Sequence, residues 1–267
     1  MTAIQPCVLL LLVGPDWQIE TVSANVAMLG DHKPSAVVGQ PLADLIGSKA
    51  IHNLRNRLAW LSNDESEVQD YGVRWADVVF DVRAAHQEDC YLVEAELAVE
   101  PRLPDGIGMV RSMTDRLQGD HPEALANLAT RQLAALTGFD QIILCRVDGT
   151  PIATNKAPAS FPPCKAVDIE RLVADRDAEP VPLVGNEDSN LLSRAAFAAP
   201  EPEACEKLSR LDIAATMSLP LRIDGELVGS LHAYHSTPRR VGAERRSVAH
   251  LFAERLVARM ARQGWEY

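Results

Sequence analysis

Short apolar runs, each ended by turn-forming residues, divide the start of the chain into strands and helices. The unbroken run Val8–Val13 is followed by Gly14, Pro15 and Asp16, which is typical of a buried β-strand. The segment Ile19–Asn25 alternates as a second strand would, and the pattern that follows predicts a short helix ending at Gly30. A further helix is predicted because four apolar residues share one face: Ile51, Leu54, Leu58 and Leu61.

A hairpin and a linker end this first part of the chain. The two segments 76–86 and 90–100 alternate as strands and flank the polar connection Gln87–Asp89, which predicts a hairpin. Two prolines and a glycine within 100–106 then indicate a linker.

The rest of the chain opens and closes with helical patterns. Apolar spacing predicts helices over 109–117 and 125–136, a strand over 140–148, and a hairpin over 217–235. The last helix carries its apolar residues along one stripe, from Val248 to Met260. Within the irregular stretch 149–205, only Val167–Asp175 has a clear helical pattern.

These elements predict two α+β domains, 1–103 and 104–267, each with a central antiparallel sheet flanked by helices.

Composition and charge exclude several classes of function. The net charge of −11, from 26 Lys and Arg against 37 Asp and Glu, argues against a nucleic-acid-binding surface. The opening apolar run is too short for a membrane helix, which needs about 20 residues, and lacks the features of a secretory signal, so we expect a cytoplasmic protein with no membrane partner.

The five cysteines show neither a CxxC spacing nor a nearby histidine pair, which argues against a metal site and against a disulfide framework. Phosphate-binding loops and nucleophile–base motifs are also missing, so we expect no enzyme activity. Any output would therefore pass through contact with another molecule.

Several segments in order resemble the phytochromes, in particular the PAS-GAF front half of bacterial phytochromes. The start "IQPCVLLLLV" resembles the family's I-Q-P-H-G opening, and "VVGQPLADLIG" and "FDVRAAHQEDCYLVEAE" resemble its PAS domain. The resemblance to the GAF domain rests on the segments "ALANLATRQLAALTGFDQIILCRVD", "ADRDAEPVPL" and "IAATMSLPLRIDGELVGSLHAYHSTPR". It implies a PAS domain over 1–103 and a GAF domain over 104–267, in a cytosolic red-light sensor that holds a linear tetrapyrrole, a bilin, in the GAF pocket. Relative to the family, the pocket region over 150–205 is shortened here. The segment "PVPLVGNEDSNLLS" corresponds to the part that forms a lasso around the N-terminal segment in that family.

The same resemblance identifies candidate bilin-contact residues and substitutions among them. Cys7 stands at the family's opening His, and only three residues precede Ile4, where the family has its bilin-attaching cysteine further upstream. Phe161 stands at the Asp that accepts hydrogen bonds from the pyrrole nitrogens. At the family's propionate-binding Arg and pocket His stand Ala198 and Ala204. Thr216 and Ser218 retain hydroxyl groups where the family has serines. Of the family's paired histidines, His235 is kept and Tyr234 stands at the other.

Three functional hypotheses remain. In the first, the protein is a regulatory phytochrome relative with a defective bilin site and no cofactor, which acts through a protein partner or as a homodimer formed by its GAF helices. In the second, it is a non-standard photoreceptor that binds a biliverdin-type bilin. In the third, the GAF domain binds another small ligand. The combined loss of the tether, the carboxylate, the Arg and the His favours the first.

Overall fold

The computed structural model describes residues 2–60, 67–87, 89–119, 121–156, 164–185 and 192–265. In these residues the strands are Ala3–Ile4 (β1), Val8–Val13 (β2), Ile19–Ser23 (β3), Glu67–Trp75 (β4), Val78–Gln87 (β5), Cys90–Leu97 (β6), Gln141–Arg146 (β7), Pro151–Thr154 (β8), Arg171–Val173 (β9), Val181–Gly185 (β10), Ala215–Ile223 (β11) and Glu226–His235 (β12). The helices are Pro34–Val37 (α1), Leu42–Ile46 (α2), Ser48–Leu58 (α3), Gly106–Asp115 (α4), Pro122–Thr137 (α5), Pro202–Arg210 (α6) and Ala243–Arg262 (α7), with a 3-10 helix over Ala24–Leu29.

The first compact unit combines Met1–Ala98 with the later segment Ala178–Ala199. Its sheet is antiparallel, in the order β1-β10-β3-β2-β6-β5-β4. All six residues of β2 are buried, which confirms the predicted strand and explains its unbroken apolar run. One face of the sheet packs against the small helices, and α3 contributes Ile51, Leu54 and Leu58 to that core. Leu61, predicted for the same face, lies outside the described residues.

The segment Ala178–Ala199 holds strand β1 from both sides. Along one edge, Ala3 and Ile4 pair with Pro182 and Val181 of β10. Along the other, Ile4 forms a bridge with Ala198, the Gln5 N–H donates to the Phe197 carbonyl at 3.0 Å, and the Ala199 N–H donates to the Ala3 carbonyl at 2.9 Å. Of the segment Pro180–Ser193, which resembles the family's lasso, strand β10 therefore lies along the N-terminal strand, whereas residues 197–199 on the other edge follow that segment. Residues 186–191 lie outside the described residues.

The second unit, Val99–Asp177 with Pro200–Tyr267, contains a five-stranded antiparallel sheet in the order β8-β7-β12-β11-β9. Helices α5 and α7 pack on this sheet and on each other, and Leu133 and Phe252 are fully buried. The predicted hairpin is present as β11 and β12, joined at Asp224 and Gly225. No helix within the described ranges has the length and apolar character needed to cross a membrane.

The helix predicted over Val167–Asp175 is wrong. Arg171–Val173 instead forms the edge strand β9, which pairs with Ser218, Met217 and Thr216 of β11. An isolated helix of this length is marginal, whereas the edge of β11 satisfies the backbone groups of the segment and Leu172 becomes buried. Tertiary pairing thus overrides a weak helical pattern.

Candidate functional site

A group of polar side chains lies on one face of the five-stranded sheet in the second unit. Strand alternation and the β11–β12 register set Thr216 opposite Tyr234 and Ser218 opposite His232. In the neighbouring pair, Ser230 of β12 lies opposite Cys145 of β7. The opposite face of these strands carries apolar residues such as Met217, Leu219 and Leu231, which are buried. Alternation along three strands therefore gathers hydroxyl, imidazole and thiol groups on a single face.

His232 is at the centre of this group. Its Nδ1 lies 2.9 Å from the Ser218 hydroxyl and its Nε2 lies 2.7 Å from the Ser230 hydroxyl. Burial lowers the pKa of His232 to about 4, so the ring is neutral near pH 7. A neutral imidazole has one donor and one acceptor nitrogen, so one serine receives a hydrogen bond and the other donates one. Both ring nitrogens of His232 thus have partners within the protein.

Tyr234 extends the group along the same strand. Its ring stacks with that of His232, with centroids 6.4 Å apart and an interplanar angle of 12°. Burial, followed by the nearby thiols Cys164 and Cys145, raises the pKa of Tyr234, so the phenol keeps its proton and can donate a hydrogen bond.

Two cysteine thiols complete the group. Cys145 is fully buried in β7, and Cys164 is half-buried in the connection before β9. A hydrogen bond from Cys145 lowers the pKa of the Cys164 thiol, and the same bond, together with burial, raises the pKa of Cys145. Tyr234 also hydrogen-bonds to Cys164. Two donors therefore converge on the sulfur of Cys164.

A close backbone approach fixes the position of Cys164. Gly149 has a φ of +86°, and a Cβ atom at this position would lie 2.3 Å from the Cys164 carbonyl oxygen. Only glycine combines this backbone conformation with such a contact. The turn after β7 thus sets the distance between the segment of Cys164 and the sheet.

Ligand atoms of Cys145, Cys164 and His232 all lie within 4.8 Å of one another. Thiolate sulfur and neutral imidazole nitrogen are the ligands that zinc and other thiophilic metals prefer. The sequence spacing had argued against a metal site, because these three residues come from separate segments and form no CxxC or histidine pair.

The structure brings together three of the residues that the resemblance identified: Thr216, Ser218 and Tyr234. His235 lies apart from them at the end of β12. Its Nδ1 accepts a hydrogen bond from the Thr237 N–H at 3.1 Å and lies 3.7 Å from the Asp140 carboxylate, and its ring meets Phe139 edge-on.

The other identified residues lie elsewhere. Cys7 is half-buried in the turn before β2 in the first unit, where its carbonyl accepts the Leu97 N–H at 3.1 Å. Ala198 forms its bridge with Ile4 in that unit, and Ala204 is exposed on α6. Phe161 falls in 157–163, outside the described residues.

Sequence reasoning missed Cys145, Cys164, Ser230 and His232. A usable signal existed for two of them, since the Asp224-Gly225 turn fixes the hairpin and alternation then places Ser230 and His232 on the face of Tyr234. The two thiols gave no such signal, because their positions depend on the sheet and on the turn at Gly149.

Family models match most of the chain in two parts. A model of the PAS fold matches residues 1–98, and a model of the GAF domain matches residues 121–260. Residues 99–120 lie between the two matches, so the predicted domain boundary at 103 stays a prediction.

The chain is similar to phytochromes in sequence and in fold. It is 23% identical, over 92% of its length, to cyanobacterial phytochrome B of Nostoc sp.. Among solved structures, the phytochrome photosensory core module of Stigmatella aurantiaca has a TM-score of 0.81 at 21% identity over 98% of the chain. The chromophore-binding domain of an unusual bacteriophytochrome from R. palustris has a TM-score of 0.78 at 22% identity, with 98% of this chain and 95% of that one covered. The chain spans 37% of the Nostoc protein and 58% of the Stigmatella module.

Proposed function

Because the chain belongs to the GAF domain family and has the PAS-GAF architecture of the phytochromes, we propose that it is a non-enzymatic sensory or regulatory module that does not hold a bilin in the usual way. It acts in the cytoplasm by associating with other proteins or with a second copy of itself. The family and the α+β fold predicted from the sequence are confirmed by the same matches.

The pairing of His232 is the observation that carries this proposal. A bilin presents pyrrole N–H groups and carboxylates, which need partners once they are buried. Here both nitrogens of the central His232 are engaged by Ser218 and Ser230, and Tyr234 hydrogen-bonds to Cys164. A bilin on this face would have to replace bonds that the protein already makes with itself. Each buried polar group left without a partner costs roughly 1 to 3 kcal/mol.

The substitutions implied by the resemblance also lower the affinity for a bilin. A phenyl ring at Phe161 cannot accept hydrogen bonds from pyrrole N–H groups, and alanines at Ala198 and Ala204 cannot pair with propionates or with a bilin ring. At about 1 to 2 kcal/mol for each lost partner, affinity for a bilin falls by several orders of magnitude.

Exposed apolar side chains on two helices of the second unit support association. Ile107 and Met109 of α4 are 84% and 37% exposed, and Leu251 of α7 is 41% exposed. Helices α4 and α7 contact each other, so the three side chains lie on one pair of packed helices. Large apolar groups left in water on such a pair are typical of a contact surface for another protein.

The bilin part of the proposal is tested by incubating the purified protein with excess biliverdin. We expect no fluorescent band on a denaturing gel soaked in zinc and no reversible red/far-red difference spectrum after illumination. A bilin-binding phytochrome domain treated in parallel shows that the assay works. A fluorescent band that disappears in Cys7→Ser, together with reversible photoconversion, would overturn the proposal and identify Cys7 as the bilin attachment site of a non-standard photoreceptor.

The association part is tested by sedimentation of the protein and of two surface variants. If the protein forms dimers through α4 and α7, Ile107→Glu and Leu251→Glu should shift it to monomers. Val147→Glu is the matched control, since Val147 is 45% exposed but follows β7. Equal dissociation of all three variants would count against the helical surface.

A further inference from the structure

We propose that Cys145, Cys164 and His232 form a binding site for a thiophilic divalent cation, with zinc as the expected occupant. This site goes beyond the regulatory function proposed above, and it holds whether or not the chain associates with partners.

The geometry of the three side chains carries the proposal. Their ligand atoms lie within 4.8 Å of one another without any metal to draw them together. In a tetrahedral zinc site with Zn–S bonds of about 2.3 Å and Zn–N bonds of about 2.0 Å, neighbouring ligand atoms are roughly 3.5 to 3.8 Å apart. The three groups therefore need to approach one another by about 1.0 to 1.3 Å at most, a distance that side-chain rotation supplies.

The chemistry of the three groups selects the class of metal. Two thiolates and one neutral imidazole prefer zinc and related soft cations over calcium or magnesium, which prefer oxygen ligands. Two thiolates also balance the charge of a divalent cation, and this matters because Cys145 and His232 are buried. Binding releases the thiol protons to solvent, and no oxidation or reduction takes place.

The surroundings hold the ligands in place. Cys145 and His232 lie in the middle strands β7 and β12 of the sheet, so their backbones are fixed on both sides. A metal would replace one of the two serine hydrogen bonds of His232, and the serine at the other nitrogen would keep its bond and orient the ring. Gly149, which has no Cβ atom, lets the backbone at Cys164 lie close to the turn after β7. Ligands held in this way by rigid strands and hydrogen bonds need little rearrangement to bind a metal ion.

Three protein ligands leave one position of a tetrahedral ion open. Sites of this type keep water or another small ligand in the fourth position. The Tyr234 hydroxyl hydrogen-bonds to Cys164 and so belongs to the polar surroundings of the site. The metal would also link the segment of Cys164 to β7 and β12.

The test uses Co²⁺ as a spectroscopic substitute for zinc. The purified, metal-free chain, kept reduced with a phosphine, is titrated with CoCl₂ and then with ZnCl₂. We expect about one Co²⁺ per chain, a thiolate-to-cobalt charge-transfer band in the near ultraviolet, and the strong visible bands of tetrahedral cobalt. Zinc should then displace the cobalt and abolish these bands.

Variants assign the signal to the proposed ligands. Cys164→Ser should weaken Co²⁺ binding at least about 100-fold, since loss of an outer contact alone costs 10- to 100-fold at known sites. His232→Asn should have a similar effect. Cys205→Ser is the matched control, because Cys205 is also half-buried in this unit but hydrogen-bonds to the Arg176 and Pro200 carbonyls. The cobalt spectrum of this variant should equal that of the unchanged protein.

Two results would overturn the proposal. One is the absence of a charge-transfer band in folded, reduced protein. This result counts against the site whether or not mass spectrometry finds Cys145 and Cys164 joined as a disulfide before reduction. The other is an unchanged cobalt spectrum in Cys164→Ser, which would place the metal at other thiols. Circular dichroism confirms that each variant is folded before it is compared.

Discussion

Arg83 and Glu94 form a buried ion pair on neighbouring strands of the first unit, with Nη1 and Oε2 2.7 Å apart. The Glu94 carboxylate also accepts the N–H groups of Ala196 and Phe197, each at 3.0 Å. The same Arg83 Nη1 donates to the Arg194 carbonyl at 3.1 Å. One buried pair thus connects residues 194–197 to strands β5 and β6.

Replacing Glu94 should therefore destabilise the protein strongly. We expect Glu94→Ala to lower the free energy of unfolding by about 3 to 5 kcal/mol, because it leaves the Arg83 charge and two backbone donors with fewer partners. Urea denaturation measures the change. Glu67→Ala is the control: Glu67 also pairs with Arg83, but its side chain is 34% exposed, and its loss should cost less than about 1 kcal/mol. Equal effects of the two variants would contradict this account.

His232 should make stability depend on pH on the acidic side of neutrality. Its pKa is about 4 in the folded protein against an ordinary value of 6.5. Between these two pH values, His232 is therefore protonated in the unfolded chain and neutral in the folded protein. Stability from this group is present above pH 6.5 and is lost as pH falls toward 4, with a loss of about 2 kcal/mol between pH 7 and pH 5. Urea denaturation at several pH values, compared between the protein and His232→Gln, isolates the effect. His52→Gln, at an exposed position, should keep the full pH dependence.

Gly185 should tolerate no side chain. It has a φ of +129°, and a Cβ atom would lie 2.2 Å from the Glu20 carbonyl oxygen, where β10 meets β3. We expect Gly185→Ala to lower the free energy of unfolding by at least about 2 kcal/mol, because backbone atoms must move apart in addition to the strained dihedral. Thermal unfolding compares it with Gly39→Ala, whose φ is +80° but whose Cβ would meet nothing within 4 Å. A smaller effect at Gly185 than at Gly39 would be evidence against the β10–β3 contact.

Glu170 should contribute to the stability of the second unit. Its carboxylate lies 2.7 Å from Arg246 Nε of α7, and both side chains are at most 10% exposed. We expect Glu170→Ala to cost about 3 kcal/mol, since it leaves a buried guanidinium without its carboxylate. Denaturation in urea is again the measurement. Glu203→Ala removes the exposed pair with Lys207 on α6 and should cause no measurable change.

The regular elements could be predicted from the sequence because their patterns have a clear period. The buried run of β2, the β11–β12 hairpin and the apolar stripe of α7 are local properties of the chain. Strands β9 and β10 could not be predicted in this way, because each is short and exists only through its pairing with a distant strand. A helical pattern over Val167–Asp175 was misleading for that reason.

The same distinction between local patterns and distant contacts decides which residues of the candidate site could be predicted. Thr216, Ser218 and Tyr234 could be identified because they lie in a recognisable hairpin. Cys145 and Cys164 are separated along the sequence from each other and from His232, and the tests for metal sites in a sequence look for ligands a few residues apart. The contact between them depends on the order of the strands and on one tight turn, which no local pattern encodes.

Strand β1, held between β10 and residues 197–199, sets an order of events during synthesis. The strands that begin the first unit leave the ribosome early, but β10, which pairs with β3, is made about 160 residues later. At translation rates of roughly 5 to 20 residues per second, the edge of β3 stays without its partner strand for about 8 to 30 seconds. During that interval the backbone groups of β3 that later pair with β10 are open to other strands. The growing chain is therefore most prone to aggregate between these two moments, and slower translation of the middle of the message lengthens the period of risk.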